Sequence, residues 1–405
     1  MFTRIPSGDE WARLIRYASW MRVLSPPHAS IIPDNIFQQL SLATSGGLVC
    51  PRLQRLAWTS SCGWEHIQRF LSPRLVSISF RRLRIHQPVN PGSKFASIIP
   101  LLPTAHLEEL RIDIISPSIH SVLSETVRQL KTCFKRISVH STLSDAAWEH
   151  LASLPKLGSL RVYDTPSTKI SESIPHQLTF PTLERMKIRV DSVRQRWPLL
   201  FSLLKSSPLQ EIIIETDRET RIHDDVPSQV TFAVLEAELQ RTVRTLSFTG
   251  FDPAHLSFLP HLQPFRSLKE LAYVTRCPWS DLCVFPLRDS AIEWLASTLP
   301  HLVSLQLGHI CRRNPPNTTI KSLISLSTHC LSLETLYLPC DLTNISEAAK
   351  MESGEIDPRL GTRNSCTLRT FGFHWVVMPP QENIEAAGIV ASALRHLFPR
   401  SQPIG

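Results

Sequence analysis

Basic side chains recur at related places along the first half of this chain: Arg55, Arg81, Arg82, Arg111, Arg136, Arg161, Arg185, Lys187 and Arg189. A guanidinium presents a planar fork of donors that matches a carboxylate or phosphate, so a row of them is a candidate surface for an acidic or phosphorylated peptide. Only Glu109, Asp113 and Asp164 stand among them. Equivalent places further on hold Glu211, Glu215 and Glu270 without Lys or Arg, and the series ends at Tyr337, His374 and Trp375, where an aromatic anchor is expected. The candidate partner-binding residues are therefore Arg81, Arg82, Arg111, Arg136, Arg161, Tyr163, Arg185, Lys187, Arg189, Tyr337, His374 and Trp375. A second reading stays open, in which exposed strands carry basic residues to stay solvated and to deter edge pairing.

Other chemistry finds no support. No Gly-rich phosphate loop, HExxH, GxSxG or CxxC pair is present. Cys277 and Cys283 form a C-x5-C, with His309, Cys311, His329 and Cys330 further on, and this spacing does not match a usual zinc frame. The 16 histidines sit in no nucleophile arrangement. The expectation is no catalytic residue, no metal, no cofactor and no enzymatic activity. The basic positions also lack interleaved aromatics on which bases stack, which argues against nucleic acid.

What positions the arginines is an L-x-x-L-x-L triplet or close apolar variant, starting at Leu53, Leu75, Leu107, Phe134, Leu157, Leu183, Leu209, Val243, Leu268, Leu302, Leu333 and Leu368. Eleven steps from 53 to 368 give a mean spacing of about 29, the period of a leucine-rich repeat. The fourth and sixth triplet positions share one face of a short strand, because strand side chains alternate. Positions three, five, seven and eight are expected to face outward, and these hold the basic residues. Amphipathic stretches at 118–131, 144–154, 194–206, 290–299 and 320–329 can return the chain to the next strand. The expected fold is α/β: a leucine-rich-repeat solenoid, or horseshoe, of about 12 irregular units with a parallel concave sheet and helices on the convex side.

The ends differ from the array. Ser7-Gly8-Asp9-Glu10 has capping-box form, and Trp11, Leu14, Ile15, Ala18 and Met21 follow at helical spacing; a second helix is expected over 34–42. Residues 1–49 read as a helical N-terminal cap, 50–380 as the repeat array and 381–405 as a closing helix and tail. The polar stretch 343–364 reads as a mobile loop.

Composition sets further bounds. Proline (32) outnumbers glycine (13), and Leu154-Pro155, Phe180-Pro181, Ser207-Pro208 and Leu299-Pro300 each stop the chain a few residues before a triplet. Nine cysteines do not pair evenly and no charged, apolar leader opens the chain, so an intracellular, reduced protein is expected, cytoplasmic or nuclear. The sequons at Asn317 and Asn344 then read as chance matches. No apolar run reaches the roughly 18–20 residues needed to cross a bilayer. A net charge of +8 is moderate for 405 residues.

Several segments carry a resemblance: W-A-R-L-I-R-Y-A-S-W-M-R-V over 11–23, C-P-R-L-Q-R-L-A-W over 50–58, F-L-S-P-R-L over 70–75, and the L-P-x-L-x-S-L joints at 154–160 and 299–305. In these the chain resembles the repeat region of fungal F-box/leucine-rich-repeat domain proteins. The resemblance implies a substrate receptor of a ubiquitin ligase whose F-box binds a Skp adaptor. The F-box itself is not evident: residues 32–40 (I-P-D-N-I-F-Q-Q-L) match only its opening, so a Skp partner is expected only if an F-box lies upstream. The repeats also lack the usual Asn at the ninth position, where Ser61, Thr142, Asp191 and Asp217 stand. The implied function is a non-catalytic protein-recognition scaffold; the alternative is a free-standing interaction or inhibitor protein without a ubiquitin role.

Overall fold

Alternation of apolar and polar side chains fixes each strand, and the computed structural model shows how far the pattern is obeyed. It describes residues 7–25, 34–59, 63–81, 96–103, 105–113, 120–130, 133–140, 143–163, 179–190, 197–216, 225–251, 256–275, 287–309, 316–343, 368–372, 376–377, 384–398 and 402–403. The chain divides into two compact units, one of Met1–Met186 with Ser206–Pro208 and one of Lys187–Lys205 with Leu209–Gly405.

The first unit begins with α1 (Gly8–Ala18), β1 (Val23–Leu24) and α2 (Asp34–Ala43). The expected capping box is formed: the Ser7 hydroxyl accepts from Glu10 N–H, and Glu10 accepts from Ser7 N–H at 2.7 Å. Then come β2 (Arg55–Thr59), β3 (Ser77–Arg81), β4 (Glu109–Asp113), α3 (His120–Arg128), β5 (Arg136–Val139), α4 (Asp145–Ser153) and β6 (Ser159–Tyr163). Strands β1 to β6 pair in chain order, all parallel. The stretch expected to be only helical thus also supplies a strand, Val23 and Leu24 lying opposite Arg55 and Leu56. Between β2 and β3, and between β3 and β4, the crossover includes a short 3-10 turn, at Ile67–Phe70 and Ile99–Leu101.

Strand β7 (Arg185–Val190) holds the boundary, which falls after Met186. The second unit continues with α5 (Trp197–Leu203), β8 (Glu211–Thr216), α6 (Val226–Glu236), β9 (Thr245–Thr249), β10 (Glu270–Thr275), α7 (Asp289–Thr298) and β11 (Ser304–His309). It ends with α8 (Ile320–His329), β12 (Thr335–Tyr337), β13 (Cys340–Asp341), β14 (Thr370–Gly372), β15 (Val376–Val377), α9 (Ile384–Leu397) and β16 (Gln402–Pro403). Strands β8 to β12, then β14 and β16, pair in parallel, while β13 and β15 make a separate parallel pair. Strand, crossover and parallel strand repeated in this way make each unit an α/β leucine-rich-repeat solenoid segment. The loop expected at 343–364 lies, from 344 onward, outside the described residues.

The triplet positions form the core. Leu56, Ile78, Leu110, Ile137 and Leu160 line one row of the first unit, and Ile212, Leu246, Leu271, Leu305 and Leu336 one row of the second, each 2 % exposed or less. Each such side chain contributes about 1.5–3 kcal/mol by leaving water. In the first unit Phe37 of α2 packs on Trp58 and Phe70, with ring centroids 5.9 and 6.2 Å away, and so covers the first repeat.

The backbone repeats as regularly as the side chains. The carbonyl of the second triplet position accepts two N–H groups, from positions two and three of the next repeat. Gln54 O takes Val76 and Ser77, Val76 O takes Glu108 and Glu109, and Arg244 O takes Lys269 and Glu270, all within 2.7–3.0 Å. Side chains tie neighbouring repeats too. Asp289 at the start of α7 accepts from Thr319 N–H and Thr319 Oγ1 at 2.7 Å each and from Ser322 Oγ at 2.5 Å, holding the first turn of α8.

One expectation needs correction. Position eight shares its parity with positions four and six, so it turns inward. Val190, Thr216, Thr275 and Cys340 occupy it and are 5 % exposed or less. The Thr275 hydroxyl donates to Gly308 O at 2.8 Å, giving a buried cross-strand bond near the place where an Asn was absent. At the same step Gly250 has φ +90°, and a Cβ there would lie 2.8 Å from Thr216 Cγ2.

Candidate functional site

With position eight removed, the outward face consists of positions three, five and seven, except in β2, where Ala57 and Thr59 are buried. In the first unit these carry Arg55, Arg81, Arg111, Arg136, Arg161 and Arg185, with Glu109 and Asp113 the acidic residues among the described ones. Alternation forces them outward, since the intervening residues fill the core.

Strand register brings some of them together. Ser79, Arg111, Ser138 and Arg161 stand side by side on β3, β4, β5 and β6. At a strand spacing of about 4.8 Å the two arginines begin roughly 10 Å apart, with a serine between them. The Oγ atoms of Ser79 and Ser138 are buried, and no described group hydrogen-bonds either one. A buried hydroxyl without a partner costs about 1–3 kcal/mol, which a ligand oxygen could recover.

The same register neutralises part of the charge. Arg111 Nε donates to Asp113 Oδ2 at 2.5 Å, and Arg136 pairs with Glu109 on the next strand. Lys135 pairs with Glu108 at 2.8 Å just before the strands. These pairs are exposed or half-exposed and worth about 0–1 kcal/mol each, so an incoming anion can replace the carboxylate at little cost. Arg111 remains the best placed of the paired set, because its residue stands in register between Ser79 and Ser138.

In the second unit Lys187 of β7 is paired with Glu215 of β8, which removes it from the list of open cations. Arg189 follows on β7, half-buried. Tyr337 stands in register between Gln306 and Gly372, half-buried on the outward face. Glu211 and Glu270 flank Thr245 there, so this face is neutral to acidic. Arg82, His374 and Trp375 lie outside the described residues, and Tyr163 ends β6 with only its backbone described. Ser79 and Ser138 escaped the sequence reading because a small polar residue on an exposed strand looks like filler. The available signal was position: both occupy place five, as Arg111 and Arg161 do.

The cysteines in view are structural. Cys50, Cys330 and Cys340 are buried and Cys133 half-buried, all as free thiols. Burial pushes the Cys50 thiol up to about 11. Burial first, and then the Asp289 and Asp341 carboxylates, push Cys340 up further. Neither is a ready nucleophile. Among the described residues no three His, Cys, Asp or Glu side chains group as metal ligands, and no helix is long and apolar enough to cross a membrane.

No family model matches this chain, and no curated protein matches it. Among solved structures it is similar to the leucine-rich repeat-containing protein LegL7 from Legionella pneumophila, at 13% identity over 86% of this chain and 99% of that one, with a TM-score of 0.42. It is also similar to a protein from Bacteroides fragilis, at 12% identity over 56% of this chain and 64% of that one, with a TM-score of 0.29. The fold assignment rests on strand order and register.

Proposed function

We propose that the chain is a non-catalytic protein-recognition scaffold whose first unit binds an acidic or phosphorylated segment of a partner protein. The observation that carries this is the outward row Ser79, Arg111, Ser138 and Arg161, in which hydroxyls without a partner alternate with guanidiniums. An oxyanion seated over Arg111 would accept from its fork and, once the arginine side chain shifts, from the serines beneath.

The test is capture of partners from the native cell by the full chain and by R111E/R161E. Both residues point outward, so the variant should keep its far-ultraviolet circular dichroism. Reversal of a charge at such an interface costs about 2–5 kcal/mol, enough to empty the capture of acidic and phosphorylated proteins. An unchanged partner set would sink the reading.

Whether the scaffold serves a ubiquitin ligase is a finer proposal, and one observation favours the free-standing alternative. Phe37 and Leu40, in the segment similar to an F-box opening, are buried in this chain's own first unit, and Phe37 stacks on His66 at 4.4 Å. Those side chains are therefore occupied rather than presented to an adaptor. Co-precipitation with the Skp adaptor decides between the readings: capture supports the receptor, and its absence with partners retained supports the free-standing protein.

A further inference from the structure

The second unit contains an open notch of about 480 Å³ lined by Gln240, Arg241, Gln263, Pro264, Arg266 and Ser267. It lies where two successive repeats turn into their strands, away from the outward strand positions. Gln240 and Arg241 belong to the 3-10 turn Leu239–Arg241 ahead of β9, and Gln263 to Ser267 follow the 3-10 turn Leu259–Leu262 ahead of β10. We propose that this notch is a binding site for a phosphate-bearing ligand, separate from the outward face of the first unit.

Three features carry the proposal. The first is charge: the lining includes two guanidiniums and no carboxylate, and among the described residues neither Arg241 nor Arg266 has an ion-pair partner. Arg244 and Lys269, exposed at the second position of the two triplets and just ahead of β9 and β10, add two more cations, neither ion-paired among the described residues. The nearest acidic residue in sequence, Glu238, is held by Lys205 at 3.2 Å. The second is rigidity. The Ser267 hydroxyl donates to Arg241 O at 2.8 Å, tying one turn to the other, while Leu239, Leu262 and Phe265 anchor them in the core at 2 % exposure or less. A site held this way loses little freedom when a ligand enters.

The third is an unanswered polar atom. Gln240 Oε1 is buried and has no hydrogen-bond partner. The two ends of a side-chain amide are assigned from their surroundings, and nothing here fixes them. Gln240 is half-buried on the notch lining, and a rotation of its side chain would bring the amide to a ligand, its oxygen to accept from a hydroxyl and its N–H groups to donate to a phosphate oxygen. A phosphate monoester that also carries a free hydroxyl supplies both kinds of atom, and the volume suits a small phosphorylated molecule rather than a bare ion.

The experiment is thermal unfolding of the full chain in inorganic phosphate, with sodium chloride and sodium acetate at matched ionic strength. Phosphate is expected to raise the midpoint above both. In R241Q/R266Q the phosphate-specific rise should vanish, since losing two charge-assisted contacts weakens binding at least about tenfold. In R128Q, which removes an exposed arginine paired with Glu125 in the first unit, it should persist. Should the double variant misfold, R241Q and R266Q singly give the same reading. An equal rise in chloride or acetate, or a phosphate rise retained in R241Q/R266Q, overturns the proposal.

Discussion

Single atoms decide the local stability of this protein. Gly250 is required twice over, by its φ of +90° and by the Cβ that would press on Thr216 Cγ2 at 2.8 Å and Thr216 O at 3.1 Å. Gly250→Ala should cost about 1–3 kcal/mol in urea unfolding, and Gly388→Ala, where a Cβ meets nothing within 4 Å, should not. Asp289→Ala strips three donors at the start of α8 of their acceptor and should cost about 2–4 kcal/mol. Cys50 gives a pH signature. Its thiol ionises near 9.0 when unfolded and near 11 when folded, so its contribution is full below pH 9 and fades as pH rises to about 11. The urea midpoint should fall across that window, and Cys50→Ala should flatten part of the fall. Position-eight side chains show where residue-level reading went astray: Thr216 and Thr275 look like outward polar residues, yet period two places them beside Ile214 and Tyr273 in the core.

Elements were legible in proportion to how one-sided they are. The stripe Ala147, Leu151 and Leu154 revealed α4, and Ser144 caps it by accepting from Ala147 N–H at 3.4 Å. Ser144→Ala should lower stability by about 1 kcal/mol. Helix α6 was missed because polarity and burial are mixed in it: Ser228 and Thr231 are buried with Val226, Val230, Ala233 and Val234, while Phe232 is exposed beside Gln229 and Glu236, so no clean apolar period shows. Ion pairs were illegible for a different reason. Glu109 and Arg136, or Lys187 and Glu215, are far apart in sequence and meet only once strand register is known. The cap makes the element-scale prediction. Phe37→Ala opens a cavity over Trp58 and Phe70 and should cost about 3–5 kcal/mol, with hydrogen exchange rising first in β2 and β3.

For the whole molecule, charge and repetition are the governing quantities. With a net charge of +8 and an arginine-rich outward face on the first unit, the proposed partner association should depend on salt. Partner capture should therefore weaken as sodium chloride is raised from about 50 to 300 mM, mainly through a slower on-rate, and R111E/R161E should show a shallower dependence. Binding insensitive to salt would point away from charge. Repetition has a longer reach. In the backbone row where each second-position carbonyl receives two N–H groups, the residues include Gln54, Val76, Glu108, Lys135 and Gly158 in the first unit, and Gln210, Arg244, Lys269, Val303 and Glu334 in the second. No side chain takes part, so the seam between repeats has no preferred spelling. Proline alone is barred, because the next repeat must offer both N–H groups. None of the 32 prolines falls on the second or third place of the twelve triplets, although many stand just ahead of one. A lineage could duplicate, delete or exchange repeats without rewriting the seam, and so revise what the protein holds while inheriting how it is held together.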